Sequence, residues 1–147
     1  MKFTLYTDGS CYPNPGPGGW AYLIYARDGW HTSESGSRQK TTNNRMEMTA
    51  VINGLHAILN ASLNPDRDEV VIHSDSMYVV KGINEWRTKW RLTGWQVKNP
   101  LLWMTIDNAC REFKQVTAVH VRGHSGNELN EEVDRLAMMA RTGGRYD

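Results

Sequence analysis

The first ten residues constrain the fold more than any other stretch of the chain. Residues 3–7 mix aromatic, aliphatic and β-branched side chains, which predicts a strand. Asp8-Gly9-Ser10 then has turn chemistry, so we expect Asp8 to lie where this strand ends. An acid at the rim of a buried strand is unfavourable unless a cation, a donor or a metal pairs with it. The alternative is an ordinary Asp that starts a turn before Gly.

Composition limits the class of protein. The chain has 147 residues, of which 39% are hydrophobic and 22% charged, as expected for one domain with its own core. It contains no apolar run long enough to span a bilayer, and no signal-like N-terminus. Cys11 and Cys110 match no metal spacing and form no disulfide framework, which indicates a reducing, cytoplasmic setting. The net charge of +1 does not by itself favour a nucleic-acid ligand.

The next segment is predicted to complete an antiparallel sheet. Residues 11–19 are dense in Pro and Gly, so we expect a loop whose backbone can approach a ligand closely. The pattern predicts a strand from Trp20 to Arg27, a hairpin at Asp28-Gly29 and a more polar outer strand from Trp30 to Ser37. Three antiparallel strands follow from this pattern.

A helix is predicted after the polar run Arg38 to Asn44. Its apolar residues share one face, namely Met48, Val51, Ile52, Leu55, Ile58 and Leu59. Glu47 lies in its first turn at the border of this face, so we expect it to point toward the sheet. The alternative is a structural role, because Asn44 and Glu47 have the spacing of a capping box.

The predicted strand after this helix is, like the first strand, followed by an acid. Glu69 to His73 is short and nearly all apolar, which is typical of a strand covered on both faces. Asp75 follows, just before a helical pattern that starts at Met77. The alternative is that Ser74 or Asp75 merely caps this helix.

Residues 81–98 form a segment that we call the basic protrusion. It interleaves cations with tryptophans around a single acid, Glu85; the cations are Lys81, Arg87, Lys89, Arg91 and Lys98, and the tryptophans are Trp86, Trp90 and Trp95. The alternative is a solvated helix whose tryptophans are partly core, since Trp86 and Trp90 are one turn apart.

The remaining pattern completes an α/β fold. It predicts a helix from Leu101 to Lys114, a strand from Val116 to Val121, a loop at residues 122–126, and a final helix from Glu128 to Thr142 with Asp134 near the edge of its buried face. The order βββαβααβα predicts a five-stranded mixed sheet covered by helices, with three antiparallel strands and two parallel additions. We expect the Lys2 to Thr7 strand to be central, flanked by the Trp20 and Glu69 strands.

Four acids are expected to meet in one cleft. In open α/β sheets the ligand site lies beyond the strand ends, where we place Asp8 and Asp75, joined by Glu47 and Asp134. Carboxylates at such short distances raise one another's pKa unless a cation is bound. Oxygen ligands without Cys or His suit Mg²⁺ or Mn²⁺ better than zinc, and a pair of such ions suits phosphodiester displacement.

Several short motifs surround these acids. They are Thr7-Asp8-Gly9-Ser10, residues 14–19, Thr42-Asn43-Asn44-Arg45-Met46-Glu47, Ser74-Asp75-Ser76, and residues 120–126 with Asn130 and Asp134. In order and spacing they resemble bacterial ribonuclease HI, a type 1 ribonuclease H, over nearly the whole chain.

The resemblance implies a single ribonuclease H-like domain over residues 1–147 and an endonuclease that hydrolyses the RNA strand of RNA–DNA hybrids, leaving 5′-phosphate and 3′-hydroxyl ends. Asp8, Glu47, Asp75 and Asp134 would hold two Mg²⁺ ions, for which Mn²⁺ can substitute, one activating water and the other stabilising the leaving 3′-oxygen. His124 would assist proton movement or product departure, because a His titrates in the useful range. The resemblance also implies a monomer with no membrane partner.

Substrate contacts are implied by the same resemblance. Cys11, Asn14, Asn43 and Asn44 match positions near the minor groove, where 2′-hydroxyls mark RNA, and Thr42 matches a contact to a DNA phosphate. Met77 stands where many bacterial members carry Gln, and Tyr25 replaces a basic residue that supports the phosphate pocket. In the basic protrusion, Trp86, Arg87, Lys89, Trp90 and Arg91 would contact the hybrid backbone; this segment is shorter and less basic than in well-known relatives.

Two other functions compete with this interpretation. A non-catalytic hybrid-binding module is disfavoured because all four acids and His124 are retained. A nuclease of the same fold that acts on DNA, such as a junction resolvase, is disfavoured by the stretch from Asn43 to Glu47 and by the basic protrusion.

Overall fold

A five-stranded mixed sheet organises the computed structural model, which describes residues 1–122 and 127–143. The strands are β1 (Lys2–Cys11), β2 (Gly16–Ala26), β3 (His31–Thr41), β4 (Glu69–Ser74) and β5 (Gln115–His120). Their order in the sheet is β3-β2-β1-β4-β5. Since β1 pairs antiparallel with β2 and parallel with β4, the prediction of a mixed sheet with β1 at its centre is confirmed.

The helices follow the predicted order. They are α1 (Asn43–Ala61), α2 (Met77–Lys81), α3 (Arg87–Leu92), α4 (Pro100–Cys110) and α5 (Glu128–Thr142). A π-helical turn, Gly82–Trp86, joins α2 directly to α3, so residues 77–92 form one continuous helical stretch. Helix α4 ends four residues before the predicted Lys114. Within the described ranges, none of these helices has both the length and the apolar character needed to cross a bilayer.

Helices cover both faces of the sheet. On one face, apolar side chains of α1, α2 and α4 form one core cluster with those of β1, β2, β4 and β5, including Leu5, Ile24, Leu55, Ile72, Trp103 and Ile106. On the other face, α5 places Val133 and Ala137 against Tyr6, Ala21 and Leu23. Burial of apolar area is the main favourable term in folding, at about 25 cal/mol per Å². Helices α1 and α5 therefore lie on opposite faces of β1, and each can place a side chain near the end of this strand.

Strands β1 and β2 are longer than predicted. Asp8 does not end a strand, because β1 continues to Cys11 through antiparallel pairing with β2. Residues 16–19 belong to β2 rather than to a loop, and glycine there permits close packing, since a Cβ at Gly19 would overlap the backbone of α5 at Ala137. Pairing with β4 stops earlier, at Tyr6 and His73. Asp8 therefore lies inside β1 but beyond the end of the β4 pairing, where one side of the strand is open.

Helix caps exclude two structural alternatives. Thr42 caps α1 by accepting a hydrogen bond from the Arg45 backbone N–H at 3.2 Å. Helix α1 thus begins at Asn43, and Glu47 lies in its second turn rather than in the predicted first turn, so the capping-box alternative is wrong. Ser76 caps α2 by accepting from the Val79 N–H at 3.3 Å, so neither Ser74 nor Asp75 is the cap.

The π-helical turn contacts the outer edge of the sheet. The side-chain amide of Asn84 donates a hydrogen bond to the Ala118 carbonyl at 2.7 Å and accepts one from the Ala118 N–H at 2.8 Å. Ala118 lies in β5, the last strand of the sheet. The helical stretch is therefore tied to β5 by a side chain that satisfies both backbone polar groups of one residue.

Candidate active site

Carboxylates from three elements meet beside the end of β4. Asp8 comes from β1, Glu47 from α1, and Asp75 directly follows β4. One carboxylate oxygen from each residue lies within 4.8 Å of the other two. Asp134 of α5 joins them through a hydrogen bond with the Asp8 carboxyl group. The structure thus brings together the four acids that the sequence singled out.

Strand register explains why Asp8 and Asp75 are neighbours. The parallel pairing of β1 with β4 ends at Tyr6 and His73. Asp8 lies two residues after Tyr6, and Asp75 lies two residues after His73. Parallel strands run in the same direction, so equal offsets bring the two side chains to the same edge. Glu47 is added by the close approach of α1 to β1, since a Cβ at Gly9 would overlap the Glu47 backbone nitrogen.

The cluster is largely withdrawn from solvent. Asp8 is 4% exposed and Glu47 is 7% exposed, while Asp75 and Asp134 are half-buried. The Glu47 carboxylate accepts a hydrogen bond from the Gly9 N–H. Its Oε2 atom, however, is buried and has no hydrogen-bond partner among the described residues. A buried carboxylate oxygen without a partner is costly, so this atom is suited to binding a cation.

Burial and mutual repulsion raise the pKa values of the cluster. Burial raises the pKa of Asp8 to about 8, assisted by the hydrogen bond with Asp134 and the negative charge of Asp75. Burial also raises the pKa of Glu47 well above its ordinary value, with further increases from the charges of Asp8 and Asp75. The pKa of Asp75 is raised by burial and by the charge of Asp134. Without a cation, the Asp8 carboxyl group, with a pKa of about 8, therefore favours its protonated form at neutral pH.

The donor set fits a hard divalent cation. All the ligands are carboxylate oxygens, which Mg²⁺ and Mn²⁺ prefer. A cation would pair with the Glu47 oxygen and offset the burial and the repulsion that raise the three pKa values. The residues present therefore suit a divalent metal centre.

A polar cleft lies between the β1–β2 connection and the start of α1. It has a volume of about 630 Å³ and is lined by Asn14, Pro15, Thr42, Asn43, Asn44, Arg45, Lys98 and Asn99. The Asn43 N–H donates to Asn14 Oδ1 at 3.2 Å, and Arg45 Nε donates to Asn99 Oδ1 at 3.1 Å. The cleft thus brings together Asn14, Thr42, Asn43 and Asn44.

Arg45, Lys98 and Asn99 were not assigned to a substrate site from the sequence. Arg45 lies inside the Asn43 to Glu47 motif, and Lys98 was counted only as a cation of the basic protrusion. Asn99 has a positive φ of 55°, a conformation that Asn adopts more readily than most residues. The Asn-Pro pair at residues 99–100 is therefore the available signal that the chain turns sharply here.

Cys11 and Tyr25, which the resemblance singled out, both make contacts within the fold. Cys11 is buried, and its Sγ atom is 3.4 to 3.5 Å from the carbonyl oxygens of Pro13, Gly16 and Thr41, so the thiol is enclosed by the protein. Tyr25 stacks on His31 and pairs with Thr4, four residues along β1 from Asp8. That spacing is about 13 Å along a strand, so Tyr25 does not lie beside the acids. His124 lies outside the described residues.

The basic protrusion, residues 81–98, has features of both a core helix and an exposed basic surface. Trp90 packs edge-on against Trp103 with ring centroids 5.0 Å apart, and Trp86 lies 5.6 Å from Trp90. Arg87 and Arg91 form ion pairs with Asp107 of α4 at 2.8 and 2.7 Å. By contrast, Lys89 is exposed, as is Met77, which follows Asp75 at the start of α2. The tryptophans are thus partly core, and two of the cations are engaged within the protein.

Comparisons with known proteins point to one family. A family model described as RNase H matches residues 1–142. A ribonuclease H of Saccharopolyspora erythraea is 45% identical over 144 residues, which cover 93% of this chain and 88% of the relative. The solved structure of LC9-RNase H1, a type 1 RNase H with the type 2 active-site motif, has a TM-score of 0.85 at 33% identity and covers 98% of this chain and 74% of that one. LC11-RNase H1, solved in complex with an RNA/DNA hybrid, has a TM-score of 0.69 at 26% identity, with 96% and 97% covered.

Proposed function

The chain belongs to the RNase H family, and from this premise we propose that Asp8, Glu47, Asp75 and Asp134 form its catalytic centre. The reaction is endonucleolytic hydrolysis of the RNA strand of an RNA–DNA hybrid. A water oxygen bonds to the phosphorus while the bond from phosphorus to the 3′-oxygen breaks, leaving a 5′-phosphate and a 3′-hydroxyl.

One observation carries this proposal. Carboxylate oxygens of Asp8, Glu47 and Asp75 lie within 4.8 Å of one another, close enough to share a metal ion. We propose that the acids hold two Mg²⁺ ions, for which Mn²⁺ can substitute; when bound, these ions would activate the attacking water and stabilise the leaving oxygen. Oxygen-only ligation and the unpaired Glu47 Oε2 support this choice of metal.

The polar cleft supplies the substrate contacts in this proposal. Asn14, Asn43 and Asn44 carry side-chain amides that can donate to and accept from 2′-hydroxyls, and Thr42 and Lys98 can bind phosphates. Met77 offers an apolar contact beside Asp75. His124, proposed on sequence grounds alone, would move protons near the scissile phosphate.

In this proposal, some residues of the basic protrusion contact the substrate directly and others act indirectly. Lys89 is exposed and suits a direct phosphate contact, with Trp86 and Trp90 beside it. Arg87 and Arg91 would contribute indirectly, because their guanidinium groups already bind Asp107.

The wider setting is also proposed. Cys11 and Cys110 are both free and buried, which supports a reducing, cytoplasmic location. We further propose that residues 1–147 act as one domain and as a monomer.

Cleavage assays test the function. The protein is incubated with end-labelled RNA–DNA hybrid, duplex RNA and duplex DNA, each with Mg²⁺ or with EDTA. We expect cleavage only of the RNA strand in the hybrid, only with Mg²⁺, and loss of cleavage in Asp75→Asn. Asp66→Asn is the matched control, because Asp66 is exposed in the 3₁₀ turn before β4, at the other end of that strand. Cleavage of duplex DNA instead would favour a DNA nuclease of this fold, and hybrid binding without cleavage would favour a binding module.

A further inference from the structure

Asp107 is a buried acid outside the catalytic cluster. It lies on α4 with 1% of its surface exposed. Its carboxylate accepts three hydrogen bonds, from Arg87 Nη1 at 2.8 Å, from Arg91 Nε at 2.8 Å and from Arg91 Nη2 at 2.7 Å. Burial alone would raise the pKa of Asp107, but the hydrogen bonds from Arg91 and Arg87 outweigh it and lower this pKa. Asp107 is therefore charged, and both arginines bind its carboxylate.

This pairing changes which cations can bind a phosphate backbone. Arg91 meets Asp107 through a bidentate fork, the strongest geometry for a guanidinium and a carboxylate. Arg87 also donates from Nε to the Ile83 carbonyl at 2.8 Å. Moving either side chain to a phosphate would leave a buried carboxylate short of a partner, which is strongly destabilising. Lys89, between the two arginines in sequence, is exposed.

The same contacts fix the position of α3. Asp107 anchors Arg87 at the start of α3 and Arg91 near its end, so the helix is held at two points one turn apart. Trp90 packs on Trp103 between them. Two points on one face of a short helix determine its rotation as well as its place, and hence the direction of Lys89.

We propose that Asp107 is a positioning residue for substrate binding, which orients α3 through Arg87 and Arg91 so that Lys89 and Trp86 meet the hybrid backbone. This inference rests on the proposed function. It differs from a simple charge count, in which every cation of the basic protrusion contacts a phosphate.

The variant Asp107→Asn separates these two explanations, because they predict opposite signs. Removing the carboxylate raises the net charge by one and releases both arginines. If the arginines were direct contacts, binding would tighten and KM would fall. If Asp107 positions α3, KM rises by about three- to tenfold while kcat stays within about twofold. Asp66→Asn is the control, since it makes the same charge change at an exposed site.

A second variant decides the question even if Asp107→Asn folds poorly. The triple variant Asp107→Leu, Arg87→Met, Arg91→Met replaces buried ion pairs with apolar side chains, which is often neutral or stabilising. We expect its KM to stay within about threefold of wild type and the salt dependence of hybrid binding to be unchanged. Circular dichroism and thermal melts establish that each variant is folded before kinetics are measured.

Two results would overturn the inference: an unchanged or lower KM in folded Asp107→Asn, or a triple variant whose salt slope falls by about two phosphate contacts. These failures are distinct from failure of the proposed function, which would show as wild-type protein that does not cleave the hybrid. Lys89→Gln, measured in parallel, gives the KM change of a direct contact for comparison.

Discussion

The Gly9 backbone N–H donates a hydrogen bond to the Glu47 carboxylate, and Gly9 also lies against the backbone of Glu47 with no room for a Cβ. Strand β1 and helix α1 therefore touch at the centre of the acidic cluster. The contact sets how far Glu47 lies from Asp8.

Gly9→Ala tests this contact. The added methyl would overlap the backbones of Met46 and Glu47, and backbone atoms can yield only if α1 moves. We expect a loss of roughly 1–3 kcal/mol in the free energy of unfolding, typical of overpacking, with a large loss of cleavage because Glu47 shifts. Urea unfolding and cleavage rates measure both effects. Ser35→Ala, at an exposed position of β3, should change neither, and normal activity in Gly9→Ala would show that the spacing is not critical.

Removing single carboxylates should stop the reaction. Asp8→Asn, Glu47→Gln and Asp75→Asn should each nearly abolish cleavage, because each removes a carboxylate that we propose binds the metal. Asp134→Asn should be milder, since Asn still offers an oxygen. His124→Ala should cost within about 10²- to 10⁴-fold, as is usual for acid–base groups. Single-turnover rates with saturating Mg²⁺ provide the measurement, and full activity in Asp75→Asn would refute the assignment.

The metal-free protein should lose stability as pH rises from about 4 to about 8. Folded Asp8 keeps its proton up to a pKa of about 8, whereas the ordinary value is 3.8. In this interval the folded state binds more protons than the unfolded state, so the free energy of unfolding falls as pH increases. Urea unfolding in EDTA at several pH values would reveal this slope, and a rise in stability over the same range would contradict it.

Asp8→Asn should raise the Tm of the metal-free protein at pH 7 while eliminating activity. The substitution removes a carboxyl group that must take up a proton on folding at pH 7, and each kcal/mol gained corresponds to ~2–4 °C in a domain of this size. Mg²⁺ should stabilise wild type by mass action and stabilise the variant less. Thermal melts in EDTA and in Mg²⁺ decide the matter, with Asp66→Asn as the control. A metal-free variant clearly less stable than wild type would mean that Asp8 has a structural role.

Lys89→Gln should weaken hybrid binding without affecting chemistry. It removes an exposed cation of α3, so KM should rise more than kcat falls, and the salt dependence of binding should flatten by about one phosphate contact. Lys114→Gln is the matched control, because Lys114 is exposed just before β5, at the opposite end of that strand from Asp75. An unchanged salt slope in Lys89→Gln would indicate that α3 is only structural.

Local patterns were sufficient to predict the sheet and the acids, but not how far β1 extends. Turn chemistry at Asp8-Gly9-Ser10 suggested a strand end, yet pairing with β2 carries β1 to Cys11. Pairing with the next strand extends β1 past the turn residues, and local propensity does not contain this contact. Asp8 is nonetheless at the site, because the position that matters is where the β4 pairing stops.

Partners of side chains were harder to predict than elements. Arg87 and Arg91 have the composition of a nucleic-acid surface, and only the placement of α4 shows that Asp107 lies beneath them. Cys11 is enclosed by carbonyl groups from three separate positions, a contact that no sequence spacing expresses. Asn99 joins the polar cleft through a left-handed backbone conformation. In each case the deciding contact joins segments distant in sequence, or depends on a backbone angle.

The bond between Asn84 and Ala118 also affects how copies of the chain behave toward one another. Strand β5 ends the sheet, and an exposed sheet edge invites a strand from another molecule to pair with it. The Asn84 amide takes up the N–H and C=O of Ala118 as a neighbouring strand would, so an incoming strand finds its central bonding position already filled. The helical stretch from Met77 to Leu92 therefore also covers the bonding position that another copy of the chain would use at this edge.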